Sequence, residues 1–207
     1  MLDELKKIAP NIPDEVIKIW LLPFAEGVGL PTKDNEWDKK KTGEKIKFWD
    51  DAKWEKIKID LSKIDYSKTY FDAMKGLHEA YVQGIHNDYS KLLGEDGKKR
   101  FWSAFVYIIK NGKFPQPPIM ATDEIGKYQL LDGNHRFFAF IRVEDVYLTY
   151  EQLSVSEKEN FLEHIKMSAF NRPDICQEVW VCTPKWENSK EAQLRNFLRP
   201  DYPDFLQ

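Results

Sequence analysis

The chain has 207 residues, 42% of them hydrophobic and 14% aromatic, which excludes a disordered polymer and allows one good core. A formal charge of -3 provides no global field that would recruit nucleic acid or an anionic membrane, leaving only a local basic patch open. No targeting segment and no apolar run of membrane-span length is read, so no membrane partner is expected.

In chain order, "PDEVIKIWLLPF" opens with Pro13 and an acidic turn, and it sets Val16, Ile17, Trp20 and Leu21 on one helical stripe. The next stretch, "AEGVGLPTKDNEWDKKKTGEKIKFWDD", loses that period and gains Gly, Pro and charge, predicting a long loop or arm whose aromatics pack on the body. "KWEKIKIDLSKI" spaces Trp54, Ile57, Ile59 and Leu61 with charges and predicts a half-buried strand. A helix is predicted for "YFDAMKGLHEAYVQGIHNDYSKLL", and a second for "KRFWSAFVYIIKNG", ending at Asn111-Gly112. The basic "GEDGKKR" ahead of that second helix reads as a solvated turn. "PQPPIMAT" and "KYQLLDG", separated by a turn-rich segment, predict a hairpin. Ser154 and Glu157 form a capping pattern that opens a helix striped by Phe161, Leu162, Ile165 and Ala169. "QEVWVCTP" reads as the last strand and "NSKEAQLRNFL" as a closing helix. On such a strand Cys176 and Cys182 would lie about 20 Å apart, too far for a disulfide. A reduced, cytoplasmic protein with packing thiols is expected.

The unusual stretch is "YQLLDGNHRFFAFIRV", where polar Asp132-Gly133-Asn134-His135-Arg136 sits between two apolar segments. Asp and Asn are good helix N-caps, and Gly133 permits a turn that a side chain would obstruct. A helix start directs amides and the positive end of its dipole outward, which favours an anion. Arg136 can supply a bidentate fork to a phosphate there, and His135 can hydrogen-bond or carry a proton. A capped buried helix with Arg136 paired to a structural carboxylate fits the pentapeptide equally well.

"PPIMATDEIGKYQLLDGNHRFFAF" resembles the ParB/sulfiredoxin-like superfamily: a strand behind prolines, a turn, a strand ending in "LLDGNHR", then a buried helix. The resemblance covers Trp54 to Thr183, with residues 70–112 as a helical insertion, residues 1–53 as an N-terminal extension packed on the body, and residues 184–207 as a C-terminal helix and tail. It implies an α+β fold with a small mixed sheet. It also implies a nucleotide whose phosphates lie on Gly133, Asn134, His135 and Arg136, with ATP or CTP and Mg²⁺ as the ligand. Asp132 and His135 are then the candidates for catalysis, in hydrolysis or transfer of a phosphoryl group. Sulfiredoxins are similar to "GCHR" at this point, and their cysteine is the nucleophile; Asn134 stands there in this chain, so reduction of oxidised cysteine is not expected. Partition proteins carry a helix-turn-helix domain after this module, and Pro184 to Gln207 are expected to be too few for one. A free-serine-kinase branch uses an acidic residue in a motif similar to "DGNHR", a part that Asp132 can play. The alternatives are a non-catalytic module binding nucleic acid or a protein partner, and a ParB-like nuclease.

Other constellations are weaker. His78 and His86 are about 12 Å apart along a helix and do not share a metal unaided. His164 beside its apolar stripe reads as a partly buried structural histidine. Residues 33–58 interleave Trp37, Phe48, Trp49 and Trp54 with nine lysines, against seven acids in the same window. Such a mixture can stack and neutralise a single strand, but the small excess charge favours packing plus a solvated face. No HExxH, CxxC or Walker-type lysine loop is present. Any Mg²⁺ would therefore arrive with the nucleotide.

Overall fold

The computed structural model describes residues 2–25, 49–64, 94–122, 126 and 128–185. These form a mixed α+β fold around one four-stranded sheet, of strand order β1-β4-β2-β3. The strands are β1 (Lys53–Asp60), β2 (Ile119–Thr122), β3 (Tyr128–Asp132) and β4 (Cys176–Thr183). β2 runs antiparallel to β3 and parallel to β4, so the sheet is mixed. Two compact units divide the chain. The first holds residues 1–57, 119–132 and 180–207; the second holds residues 58–118 and 133–179.

In the first unit, helix α1 (Leu2–Ile8) precedes a helical stretch made of α2 (Asp14–Val16), a π-helical turn (Ile17–Leu21) and α3 (Leu22–Ala25). Pro23 has no amide hydrogen to donate, and its ring crowds the carbonyl four residues back; the wide turn ahead of it accommodates both effects. Val16, Ile17, Trp20 and Leu21 are all buried, as their spacing predicts. Trp20 meets Trp49 edge-on at 5.6 Å, and the Trp54 indole N–H donates to the Trp49 carbonyl at 2.8 Å. Trp49 thus belongs to the core with Ile119, Ala121, Leu131 and Cys182. Asp50 is buried, and its carboxylate accepts from the Asn11 backbone N–H (2.7 Å), the Asn11 amide (3.1 Å) and the Ile12 N–H (3.2 Å). That bonding satisfies a charge which would otherwise destabilise the interior.

In the second unit, α4 (Gly94–Asn111) packs on α5 (Asn134–Glu151). Phe101, Ala104 and Ile108 of α4 and Phe137, Phe138, Ala139, Phe140 and Val143 of α5 are buried. The "GEDGKKR" segment, read as a turn, is instead the start of α4: Glu95 pairs with Lys98 (2.7 Å), and Asp96 with Arg100. Side chains three and four apart face one another on a helix, and an acidic first turn suits its dipole, which the reading of the segment as merely basic overlooked. Helix α6 (Val155–Ile165) opens with the predicted capping box at Ser154 and Glu157. His164 is exposed, not partly buried; the stripe beside it is itself only half-buried, so its flank faces solvent.

Gln177 is buried in β4 and ties down the segment that follows α4. Its carboxamide oxygen accepts from the Phe114 N–H at 3.1 Å, and its nitrogen donates to the Gly112 carbonyl at 3.0 Å and to the Asp174 carbonyl. The Phe114 ring lies 5.4 Å from Phe140 and 6.4 Å from Phe137. The predicted helix at residues 70–93, the arm at residues 26–48 and the closing helix after residue 185 lie outside the described residues, as do His78 and His86.

Candidate functional site

The motif is divided at the end of β3. Asp132 is the last residue of that strand, in register with Ile119, and belongs to the first unit; Gly133 to Arg136 belong to the second. Neither Asp132 nor Asn134 is the N-cap of α5. That position is Gly133, at φ 100° and ψ 22°, and Asn134 is already helical. A strand that turns straight into a helix needs a left-handed residue at the corner, and glycine adopts that conformation without a Cβ penalty. The first bond of the helix runs from the Phe137 N–H to the Gly133 carbonyl at 2.9 Å. The amides of Asn134, His135 and Arg136 precede it, in the first turn, at the positive end of the helix dipole.

Arg136 folds back over this corner. A Cβ placed on Gly133 would lie 2.9 Å from Cβ of Pro118 and 3.0 and 3.1 Å from Nη2 and Nε of Arg136. The glycine is therefore required twice, for its dihedral angle and for the close approach of the Pro118 ring. Nη1 of Arg136 also donates to Gln116, at 3.5 Å to the backbone carbonyl and 3.4 Å to the carboxamide oxygen, both long for hydrogen bonds. Gln116 itself is exposed, whereas Pro118 is buried and Arg136 is half-buried.

His135 is half-buried at the start of α5. Its charge is felt by Asp96 in the first turn of α4. The Arg100 hydrogen bond is the main influence holding the Asp96 carboxyl below its usual range; burial opposes it, and the Arg100, His135 and Lys99 charges add smaller downward pulls. An imidazole, two guanidiniums and a carboxylate thus belong to the α4–α5 pair in the second unit.

Glycine, histidine and arginine were singled out in the sequence; Gln116 and Pro118 were not. The signal was the polar residue inside "PQPP", which reads locally as no more than a lead-in to β2. A separate hollow of about 190 Å³ lies along the C-terminal half of α5, between Arg142, Asp145, Tyr150 and Phe161. It is smaller than the roughly 300–1,000 Å³ of pockets that enclose a small ligand. An oxyanion held on backbone amides and a guanidinium needs no such enclosure, so the Gly133 corner is the stronger candidate. Among the described residues no group of three His, Cys, Asp or Glu side chains converges to hold a metal, and no helix is long and apolar enough to cross a membrane. No family model, no curated protein and no solved structure matches the chain.

Proposed function

We propose that this protein is a ParB/sulfiredoxin-like nucleotide-binding protein that takes phosphate oxygens at the Gly133–Arg136 corner. One observation carries the reading: the Arg136 guanidinium lies beside the Gly133 backbone, 3.0–3.1 Å from where a Cβ would stand, at the amino end of an 18-residue helix whose Phe137–Phe140 turn is buried. Helix dipole, amides and cation all favour negative charge at that end. The mixed sheet and the β2–β3 hairpin feeding α5 support the resemblance seen in the sequence.

In this reading Arg136 and the amides of Asn134 and His135 hold the phosphates. ATP or CTP brings Mg²⁺ with it, since Mg²⁺ is ordinarily held by substrate phosphates with one or two carboxylates. Asp132 positions that ion or serves as base, and His135 orients or protonates an oxygen if a phosphoryl group is hydrolysed or transferred.

The test is a thermal-shift series with ATP, CTP, GTP and ADP, each with Mg²⁺, on wild type and Arg136→Ala. At least one nucleotide should stabilise the wild type. Loss of the charged donor should weaken binding by roughly ten- to a hundredfold, the equivalent of about 1.5–3 kcal/mol. No stabilisation by any of them refutes the reading. A salt-sensitive shift of single-stranded DNA without any nucleotide response would favour a binding module, and cleavage of labelled DNA with Mg²⁺ or Mn²⁺ a nuclease.

A further inference from the structure

We infer that the hollow along the C-terminal half of α5 binds a free amino acid with an apolar side chain. Arg142 and Asp145 hold its zwitterionic end. The site is separate from the Gly133 corner and does not depend on the phosphate reading: Asn134 and Val146 lie about 18 Å apart along the α5 axis.

The hollow has an apolar lining of Val146, Tyr150, Leu153 and Phe161, of which Tyr150 is buried and the others half-buried. This wall is set before any ligand arrives. The Tyr150 ring lies 5.2 Å from Phe161, and buried Phe170 braces both, at 5.3 and 5.6 Å. The Leu153 N–H donates to the Tyr150 carbonyl at 3.1 Å, and the capping box fixes Ser154 directly after it. Pre-formed apolar space with a few convergent polar groups is what a small-molecule site requires. Size narrows the ligand class. An apolar cavity of about 150 Å³ admits benzene, so one of about 190 Å³ admits a branched aliphatic or phenyl side chain. The charged end of such a molecule then stays at the rim.

The rim narrows the class further. Nη1 of Arg142 and Oδ2 of Asp145 stand 3.7 Å apart, outside hydrogen-bond distance, and both side chains are about half exposed. An ion pair so exposed contributes little to stability, so an exchange of partners is easy. The guanidinium then takes a carboxylate, and the Asp145 carboxylate takes an ammonium. The Thr149 hydroxyl donates to the Asp145 carbonyl at 3.0 Å, which leaves its oxygen, also in the lining, to accept from the same ammonium. Adjacent charges of opposite sign call for a ligand that carries the same pair. A free amino acid bears ammonium and carboxylate on one carbon; the end of a peptide bears only one of them, and an internal residue neither.

Titration of the isotopically labelled protein with L-leucine and L-phenylalanine, followed by NMR, tests the site. At least one should give saturable amide shifts at millimolar concentration, centred on residues 142–153 and Phe161. Leucinamide lacks the carboxylate, N-acetyl-leucine the ammonium and glycine the side chain; each should bind weaker by roughly fivefold or more. Arg142→Gln and Asp145→Asn change exposed side chains, should melt as wild type does, and should each weaken binding by roughly fivefold or more. The three analogues probe the same contacts without altering the protein. No saturable shift with either amino acid overturns the inference. N-acetyl-leucine or leucinamide binding as tightly as leucine also overturns it, in favour of a peptide end, as does wild-type affinity in either variant.

Discussion

Replacing Gly133 with alanine tests the corner directly. The residue sits at φ 100°, where an L side chain is strained by about 1–2 kcal/mol. Its new Cβ would stand 2.9 Å from Cβ of Pro118, part of a rigid ring, and 3.0 Å from the Arg136 guanidinium. Proline cannot swing aside, so backbone must shift, while the guanidinium need yield only a few tenths of an ångström; overpacking of this kind destabilises by about 1–3 kcal/mol. The sum is about 2–5 kcal/mol. Gly112 supplies the control: it has φ 65°, but its added Cβ would find only the Pro173 Cα at 3.8 Å, an ordinary contact. Gly112→Ala should therefore show the dihedral strain alone, about 1–2 kcal/mol. Urea denaturation followed by circular dichroism should place the Gly133→Ala midpoint below that of Gly112→Ala by about 0.5–1.5 M, for a slope near 2 kcal/mol/M. Pyrophosphate binding should fall in Gly133→Ala and persist in Gly112→Ala. Equal midpoints for the two variants would refute the claim that Arg136 and Pro118 fill the space over Gly133.

Other outcomes follow from the same structure. Trp49→Ala, which empties a fully buried site beside Trp20, should destabilise the protein by about 3–5 kcal/mol by urea titration; a loss under 1 kcal/mol would deny Trp49 its place in the core. Ser154→Ala removes the hydroxyl of the α6 capping box and should weaken that helix by about 1 kcal/mol, read as faster amide exchange across residues 155–165. The Ser154 hydroxyl, with help from its backbone N–H, holds the Glu157 carboxyl below its ordinary value. A depressed carboxylate contributes stability above the ordinary glutamate pKa and loses it as pH falls through the lower folded value. Protection of α6 should therefore decline in acid below the ordinary glutamate range, and Glu157→Gln should abolish that decline. A thiol reagent should find one fast cysteine in the native protein and two after denaturation, because Cys176 is exposed whereas Cys182 is buried and burial raises its pKa. Two fast native thiols would contradict the packing of β4.

Much of the local architecture was readable from residue order. The buried run after Asn134, the Ser154–Glu157 box, the β2–β3 hairpin and the stripe from Val16 to Leu21 each follow from period, capping chemistry or turn composition within a dozen residues. The polar pentapeptide was conspicuous for the same reason, since it interrupts two apolar segments. Its internal assignment was less legible. Asp132 and Asn134 are both good cap residues by type, yet the corner between strand and helix demanded a left-handed residue, and Gly133 took the cap.

What residue order could not contain are the contacts that join distant segments. Gln116 meets Arg136 across 20 positions, Gln177 meets Phe114 across 63, and Asp50 holds the Asn11–Ile12 amides across 39 and 38. The parallel pairing of Ile119 with Trp180 is of the same kind. Side-chain periodicity reports which face of an element is apolar, not which other element covers it. That choice is made only when the chain closes on itself and each buried polar group must find its partner. A histidine, an arginine and a glycine were visible as letters; the guanidinium lying over the glycine corner exists only in the folded chain.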